Sequence, residues 1–229
     1  VTAAVSDKAG NPASVDHTLT VDVTVPAVTI HTVAGDDVIN VAEHNQAQII
    51  SGSATGAAAG DTVSVTVGGK SYTATVGSDL KWSVTIPSAD LQAFGDGDLT
   101  FSASVTNAHG NTGTGEREIA IDANLPGLRV DTVAGDDVIN SIEHGQNLII
   151  TGSSDGLAAG AALTVTVNGK TYPATVLADG TWTAAIPAAD VSALNAGMIA
   201  VTVEGQSAAG NPVSISHDVK VDLAAVDRK

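Results

Sequence analysis

Two pairs of adjacent aspartates are the residues of this sequence with the clearest capacity for chemistry. Asp36 and Asp37 follow a glycine in a predicted loop, and Asp136 and Asp137 stand in the same context. Two carboxylates about 4 Å apart repel each other by on the order of 1 kcal/mol in water and ~4 kcal/mol in a partly screened protein environment. A hard divalent cation reverses that repulsion, and calcium takes about six to eight oxygen ligands. The pairs therefore predict either calcium ligands or solvated acidic turns.

Glutamate and histidine recur behind both pairs without forming a recognisable catalytic site. Glu43 and His44 have counterparts in Glu143 and His144, but no H-E-x-x-H spacing is present. Each glutamate either adds a ligand oxygen or satisfies backbone groups in a turn, and the histidines are expected in turns. The chain has no cysteine and no G-x-S-x-G sequence, which removes thiol chemistry and the nucleophile elbow. We therefore predict that the protein is not an enzyme.

Charge and hydropathy argue against several classes of partner. The 229 residues include 9 Lys and Arg against 25 Asp and Glu, which gives a formal net charge of −16. Such a surface repels phosphate, so neither nucleic acid nor an anionic membrane is expected as a partner. No apolar run approaches the roughly 18 residues of a membrane-spanning helix, and no signal peptide begins the chain. Membrane insertion is not expected, and the chain is expected to be a fragment of a longer one.

The core is expected to be aliphatic, because hydrophobic residues make up 43% of the chain and aromatic residues only 3%. Trp82 and Trp182 recur at equivalent positions and are predicted to fill the centre of the core. A sugar-stacking role would instead require exposed indole rings.

The sequence repeats itself at an offset of 100 residues. Residues 32–40 recur unchanged at 132–140, and no insertion interrupts the register that follows. The opening residues fit the same spacing, since Gly10-Asn11 recurs at 110–111 and 210–211. The predicted organisation is the C-terminal strands of a truncated preceding module at 1–26, then complete modules at 27–126 and 127–229.

Alternation of apolar and polar residues dominates each module. Residues 62–67 and 70–76 alternate on either side of Gly68-Gly69, which predicts a hairpin, and Asn168-Gly169 is a strong hairpin turn in the second copy. Further strands are predicted at 28–33, 47–52, 82–86, 99–105 and 116–122. Only residues 88–94 suggest a helical turn, which Ser88 is able to cap, and no helix is long enough for an α/β crossover. The predicted fold class is all-β, with tandem Ig-like β-sandwich modules of about 100 residues each.

The predicted topology brings the acidic residues close together at one end of each sandwich. In an Ig-like sandwich the first loop, the loop before the sixth strand and the end of the last strand are expected at one pole. This would bring Asp36 and Asp37, the Asp90–Asp98 segment and Asp122 together, and in the second copy Asp136, Asp137, Asp190 and Asp222. Residues 123–126 then lead from that pole into the next module, and Asp131 is expected to reach the same joint. Calcium is the predicted ion. The predicted metal ligands are Asp22, Asp36, Asp37, Asp122, Asp131, Asp136, Asp137 and Asp222.

Four motifs resemble the bacterial Ig-like repeats of giant type I-secreted surface adhesins, the long proteins related to the biofilm-associated proteins and the giant non-fimbrial adhesin. They are A-G-D-D-V-I-N-x-x-E, V-x-V-x-G/N-G-K-x-Y, W-x-x-x-I-P and the terminal G-N…V-D-x-x-x-P segment. The resemblance implies a cell-surface stalk exported by a type I system and stiffened by calcium at its joints. It also implies attachment to host cells or biofilm matrix through the full-length protein. Calcium ions and neighbouring modules are then the direct partners of this segment.

Three alternatives come from other classes of protein. The modules could bind host glycans directly, or could space the catalytic domain of an extracellular carbohydrate-active enzyme. They could also mediate homophilic contacts within a biofilm. The scarcity of aromatic residues and the strict repetition favour a spacer over all three.

Overall fold

A computed structural model describes residues 1–224, in which β-strands predominate. In chain order the strands are β1 (Thr2–Ser6), β2 (Pro12–Asp16), β3 (Ala27–Ile30), β4 (Val38–Asn40), β5 (Gln48–Thr55), β6 (Thr62–Val67), β7 (Lys70–Thr75), β8 (Lys81–Ile86), β9 (Gly97–Thr106), β10 (Thr112–Asp122), β11 (Gly127–Val130), β12 (Val138–Asn140), β13 (Leu148–Asp155), β14 (Ala162–Val167), β15 (Lys170–Thr175), β16 (Thr181–Ile186), β17 (Gly197–Gln206) and β18 (Pro212–Asp222). The helical turns are α1 (Val41–His44), α2 (Ser88–Leu91) and α3 (Ala188–Val191), and 3-10 turns span Val133–Gly135 and Glu143–Gly145.

Each of the two repeats forms one small and one large sheet. The strand orders are β3-β5-β8 and β4-β10-β9-β6-β7 in the first repeat, and β11-β13-β16 and β12-β18-β17-β14-β15 in the second. β4 runs parallel to β10, and β12 runs parallel to β18. In the second repeat, Val130 and Ile150 of the small sheet share one buried core with Val165 and Val203 of the large sheet. The predicted all-β sandwich architecture is therefore confirmed.

The described chain falls into two compact units. One comprises Val1–His31, Ile50–Val84 and Thr100–Arg117, and the other comprises Thr32–Ile49, Thr85–Leu99 and the chain from Glu118 onward. The second unit thus holds the whole described second repeat together with residues 32–49, 85–99 and 118–126 of the first one. The module limits predicted at residues 26 and 126 differ from this division and stay a prediction. The end of the last predicted module, residues 225–229, lies outside the described residues.

Hairpin geometry follows from the residues that tolerate positive φ. Gly68 and Gly69 have φ of 53° and 78°, and Asn168 and Gly169 have φ of 50° and 74°. Two consecutive residues with positive φ are typical of the type I′ turn, whose twist matches that of the flanking strands. β6 and β7, and likewise β14 and β15, are accordingly joined by these two-residue turns. Both predicted hairpins are confirmed.

Local structure differs from the prediction around the short helical turns. α2 ends at Leu91, and its N-cap position is Pro87, where no side chain caps the helix. The prediction that Ser88 caps this turn is therefore wrong, because Ser88 is already the first helical residue. Sequence patterning also missed β4 and α1, since a three-residue strand and a four-residue helix are too short to show periodicity. These two elements turn out to build the joint between the repeats.

Both tryptophans lie in the core, as predicted. Trp82 is 3% exposed and Trp182 is 0% exposed. The Trp182 indole N–H donates to the carbonyl of Ser153 at 3.3 Å. Gly52 and Gly152 lie against the indole rings, where a Cβ atom would collide with them. Buried rings of this kind plug an otherwise aliphatic core and offer no stacking surface to a sugar.

The opening hairpin differs from the rest of the chain in its exposure. β1 and β2 pair antiparallel from Thr2–Asp16 to Ser6–Pro12, and every residue of both strands is exposed. The corresponding strands of the second repeat, β17 and β18, bury Val201, Val203 and Val219. Among residues 1–224, no helix is both long enough and apolar enough to cross a membrane.

Candidate junction and metal sites

The joint between the repeats is built from the ends of β4 and β10. Parallel pairing of these strands places Asp122 beside Asn40. Asn40 caps α1, because its side-chain oxygen accepts the N–H groups of Ala42 and Glu43 at 3.0 and 3.1 Å. Glu43 in turn accepts the Asn40 N–H at 3.0 Å, which completes a capping box. Of the two roles predicted for Glu43, the structure shows the one that satisfies backbone groups.

Two aspartates fix the start of the linker on the side of the first repeat. Asp96 Oδ1 accepts the N–H of Ala123 at 2.7 Å, and Asp122 Oδ1 accepts the N–H of Asn124 at 3.3 Å. Both carboxylates therefore bind linker backbone that would otherwise need water as a partner. The linker leaves β10 with two successive N–H groups already satisfied.

The loop between β17 and β18 forms the other side of the joint. Asn211 in this loop is completely buried, with 0% of its surface exposed. Its Oδ1 accepts the N–H of Val41 at 2.7 Å, at the start of α1. Its Nδ2 donates to the carbonyls of Asp122 and Asn124 at 2.7 and 3.0 Å. One side chain thus binds both the helix and the linker of the first repeat, and all these residues belong to the same compact unit.

A related arrangement lies at residues 22–24, within the other compact unit. Asn111 Nδ2 donates to the Asp22 carbonyl at 3.0 Å, and Asn107 Nδ2 donates to the Thr24 carbonyl at 3.1 Å. Asn111 is only half-buried, in contrast to Asn211. Sequence reasoning used the recurring Gly-Asn pair for alignment and missed these contacts, although the recurrence of the asparagine was the available signal.

The acidic pairs occupy tight turns that precede β4 and β12. Asp37 and Asp137 adopt positive φ, at 66° and 61°, and their side chains accept the N–H groups of Val33 and Val133 at 2.9 and 2.7 Å. The side chains of Asp36 and Asp136 likewise accept the N–H groups of Val38 and Val138, both at 3.0 Å. Aspartate favours such turns because its short side chain satisfies nearby backbone groups. The carboxylates thus have a structural role in both turns.

Asp137 has a further partner in His217. Its Oδ1 lies 2.7 Å from His217 Nε2. This hydrogen bond, and then the one from the Val133 N–H, lower the pKa of Asp137. A carboxyl whose pKa is depressed in the folded state stabilises the fold above its ordinary pKa of about 3.9, and this contribution is lost as the pH falls through the lowered value. The pair is half-exposed, so its contribution is small.

The structure does not bring the acidic pairs to the joint. The Asp137 side chain contacts His217, which precedes Asp222 by five residues on β18. Five residues of extended strand span about 17 Å, far more than one ion's coordination sphere. β4 explains the difference, because it runs from the acidic pair toward the joint along β10 and separates the two. The expected convergence of Asp36 and Asp37 with Asp122 is therefore not observed.

The remaining predicted ligands each have a local partner. Asp22 accepts the Thr24 N–H at 2.9 Å, which lowers its pKa, and Asp131 accepts the Thr151 hydroxyl at 2.9 Å. Asp222 accepts Lys220 Nζ at 2.8 Å and the Ala224 N–H at 3.1 Å, and Lys220 is the larger cause of its lowered pKa. Across residues 1–224 no three acidic or histidine side chains gather as a possible metal site. The oxygen donors suit calcium chemically, but the described side chains do not form a ready-made cage for it.

The histidines that follow the acidic pairs lie in turns, as predicted. His44 Nε2 lies 2.8 Å from the carbonyl of Leu91, and His144 Nε2 lies 2.9 Å from the carbonyl of Leu194. The His44 imidazole therefore connects α1 to the end of α2, and the His144 imidazole connects the turn after β12 to the segment that follows α3. These contacts use the ring as a backbone partner.

Asp190, which was expected to join the acidic cluster of the second repeat, lies instead in a side-chain cluster with Lys170 and Tyr172. Asp190 forms an ion pair with Lys170 and accepts the Tyr172 hydroxyl at 2.9 Å. Lys170 is the main cause of the lowered Asp190 pKa, and burial, followed by the Asp190 hydrogen bond, raises the pKa of Tyr172 to about 12. The carboxylate is therefore already neutralised by a lysine of its own repeat.

Comparison with known proteins finds solved structures of similar fold. Neither a protein-family model nor a curated protein matches the chain. The chain is 32% identical to a Ca2+-stabilized adhesin that helps an Antarctic bacterium reach out and bind ice, with a TM-score of 0.60 over 98% of this chain and 57% of that one. It is 29% identical to a 1.5-MDa bacterial ice-binding adhesin described for its retention on the host cell surface, with a TM-score of 0.55 over 97% and 74% of the two chains. It is 37% identical to a bacterial Ig-like domain of the M. primoryensis ice-binding adhesin, over 43% of this chain and 99% of that domain, with a TM-score of 0.37.

Fold and joint together define the chain as a tandem array of Ig-like β-sandwiches. Its similarity to these two adhesin structures confirms the resemblance to repeats of giant bacterial adhesins that the sequence motifs predicted. The chain spans 57% of the length of the first of these structures. The first two of these structures are adhesins rather than enzymes.

Proposed function

We propose that this chain is a spacer segment in the stalk of a bacterial surface adhesin, exported by a type I system and stabilised by calcium. The observation that carries the proposal is the joint, in which the buried Asn211 binds the linker and α1 of the preceding repeat. A joint with satisfied backbone groups resists bending better than a free linker, as a spacer requires. Attachment to host cells or biofilm matrix would belong to the full-length protein.

Direct glycan binding has less support as a function of this segment. Aromatic residues make up 3% of the chain, and Trp82 and Trp182 are both buried in the sandwich cores. Sugar recognition by stacking needs an exposed aromatic face, which neither indole ring provides. The strict repetition of the two sandwiches also suits a segment whose purpose is length.

Calcium is proposed as a ligand that stabilises the folded repeats, as in the Ca2+-stabilized adhesin to which the chain is similar. The residues proposed to bind it remain Asp22, Asp36, Asp37, Asp122, Asp131, Asp136, Asp137 and Asp222. We divide these residues into two sets. The four paired aspartates lie in the turns before β4 and β12, whereas Asp122 and Asp222 end β10 and β18, and Asp22 and Asp131 lie outside the strands. Backbone carbonyls and water would have to complete either set, because calcium needs about six to eight oxygens.

Thermal unfolding with and without calcium tests this proposal. A ligand that binds only the folded state at 100 times its dissociation constant stabilises it by about 2.7 kcal/mol. We expect millimolar calcium to raise the unfolding temperature of the full chain above that in EDTA, and Asp122→Asn or Asp137→Asn to reduce the increase. Asp218→Asn, which removes the same charge from an exposed position on β18, is the matched control. An unfolding temperature that calcium leaves unchanged would exclude calcium as a stabilising ligand.

A further inference from the structure

We propose that Asn211 is the positioning residue of the joint, and that its carboxamide holds the linker and α1 of the first repeat against the loop between β17 and β18. Asn211 makes three hydrogen bonds across the joint and has no exposed surface, whereas Asp96 and Asp122 bind only linker backbone that follows β10 of their own repeat. This inference rests on the spacer function and goes beyond it, because it assigns the positioning of the joint to one side-chain amide.

The chemistry of the joint calls for an amide. At the Asn211 side chain, the Val41 N–H needs an acceptor while the carbonyls of Asp122 and Asn124 need donors. A carboxamide supplies one acceptor and two donors on a rigid planar group, and all three are used here. A carboxylate of the same shape would satisfy the N–H group but would face two carbonyl oxygens with a negative charge. The joint is therefore specific for asparagine over aspartate.

The loop that carries Asn211 is preformed for this contact. The Ser207 N–H donates to the Asn211 carbonyl at 2.9 Å, and the Asn211 N–H donates to the Ser207 hydroxyl at 3.2 Å. Gly210 precedes it with a φ of 82°, which a glycine adopts without strain. Because the backbone around Asn211 is satisfied within the loop, its side chain is free to bind the preceding repeat.

The equivalent joint at residues 22–24 shows how the contact is shared when the loop differs. Asn107 stands where the second repeat has Ser207, and it takes over the bond to the Thr24 carbonyl, leaving Asn111 with the Asp22 carbonyl. A serine side chain is too short to make that bond, so Asn211 donates to both carbonyls of its linker. The same two linker carbonyls are thus satisfied by amide side chains at both joints.

Spin-label distance measurements on the full chain test the inference directly. The chain contains no cysteine, so Ala93→Cys and Thr171→Cys introduce two unique labelling sites at exposed positions of one compact unit, on either side of the joint. In millimolar calcium we expect a narrow distance distribution for this reference protein. Asn211→Ala and the isosteric Asn211→Asp are each expected to widen it by about twofold or more, because the hinge is released.

Asn11→Ala is the matched control for these variants. Asn11 occupies the same loop position in the β1–β2 hairpin, but it is exposed, and its side chain binds only locally, to Asp7 at 2.8 Å. We expect Asn11→Ala to leave the distribution of spin-label distances unchanged. Circular dichroism of each variant verifies that the sandwiches remain folded, and Asn211→Asp keeps the test valid if the alanine variant does not fold.

The outcomes separate this inference from the proposed function. A distribution in folded Asn211→Ala and Asn211→Asp that is as narrow as the reference would overturn the inference. A calcium effect on thermal unfolding without such widening would support the calcium-stabilised spacer and overturn the role of Asn211. Widening in both folded variants with no calcium effect on thermal unfolding would uphold the role of Asn211 and refute calcium stabilisation.

Discussion

Truncation of Trp182 to alanine is expected to lower the free energy of unfolding of the second repeat by about 3–5 kcal/mol. Trp182 is 0% exposed, and it is the largest side chain in a core that otherwise consists mainly of aliphatic residues. Its removal deletes a large apolar surface and leaves a cavity that the two sheets cannot close, because their spacing is set elsewhere by Val and Ile pairs. It also leaves the Ser153 carbonyl without its indole partner.

Urea unfolding followed by circular dichroism measures this loss, while the fluorescence of Trp82 reports separately on the first repeat. Met198→Ala is the control, since Met198 lies on β17 of the same repeat but is 67% exposed. We expect that substitution to change the free energy of unfolding by less than about 1 kcal/mol. A loss for Trp182→Ala as small as that for Met198→Ala would contradict the assignment of the indole as the central core residue.

Replacement of Gly152 by alanine is expected to destabilise the second repeat by about 3 kcal/mol or more, through crowding rather than a cavity. A Cβ atom at this position would lie 2.6 Å from Cε2 of Trp182 and closer still to the Arg129 carbonyl oxygen. The carbonyl belongs to β11, which pairs with β13 directly opposite, so neither atom is a flexible side-chain end that moves aside. Because Gly152 has no side chain, the indole ring of Trp182 packs closely against β13.

Gly145→Ala is the matched control for this substitution. Nothing lies within 4 Å of a Cβ built at Gly145, and its φ is not in the left-handed region. Denaturant unfolding of the two variants compares the same chemical change with and without a collision. Trp182→Phe combined with Gly152→Ala should recover only part of the loss, because the smaller ring relieves one collision and leaves the one with the Arg129 carbonyl. A Gly152→Ala variant as stable as Gly145→Ala would refute the packing described.

Much of the sandwich could be predicted from the sequence because its determinants are local. Alternation at Val63, Val65 and Val67 indicated a half-buried strand, and Asn168-Gly169 indicated a two-residue hairpin turn. The 100-residue repetition also helped, because each strand of the sandwich could be predicted from two related sequences. The burial of both tryptophans followed from their recurrence in a chain with few other aromatic residues.

The arrangement of the joint could not be predicted because its contacts are distant in sequence. Asn211 and Val41 are separated by 170 residues, and no periodicity links them. The position of the acidic pairs depended on β4, a strand of three residues whose pairing with β10 no pattern announced. If β4 is left out, an Ig-like topology puts the first loop at the same pole as the end of β10. Because β4 is present, Asp36 and Asp37 lie before this strand and Asn40 lies at its end.

A stiff spacer requires a fixed joint at residues 122–124, and residual dipolar couplings of the full chain in calcium measure that property most directly. Amide couplings from residues 32–49 and 85–99 on one side, and from residues 127–224 on the other, define two alignment tensors. We expect the two tensors to agree in magnitude and orientation, as for one rigid body. A clearly weaker or differently oriented tensor on either side would mean that the linker acts as a free hinge, which is incompatible with a stiff spacer.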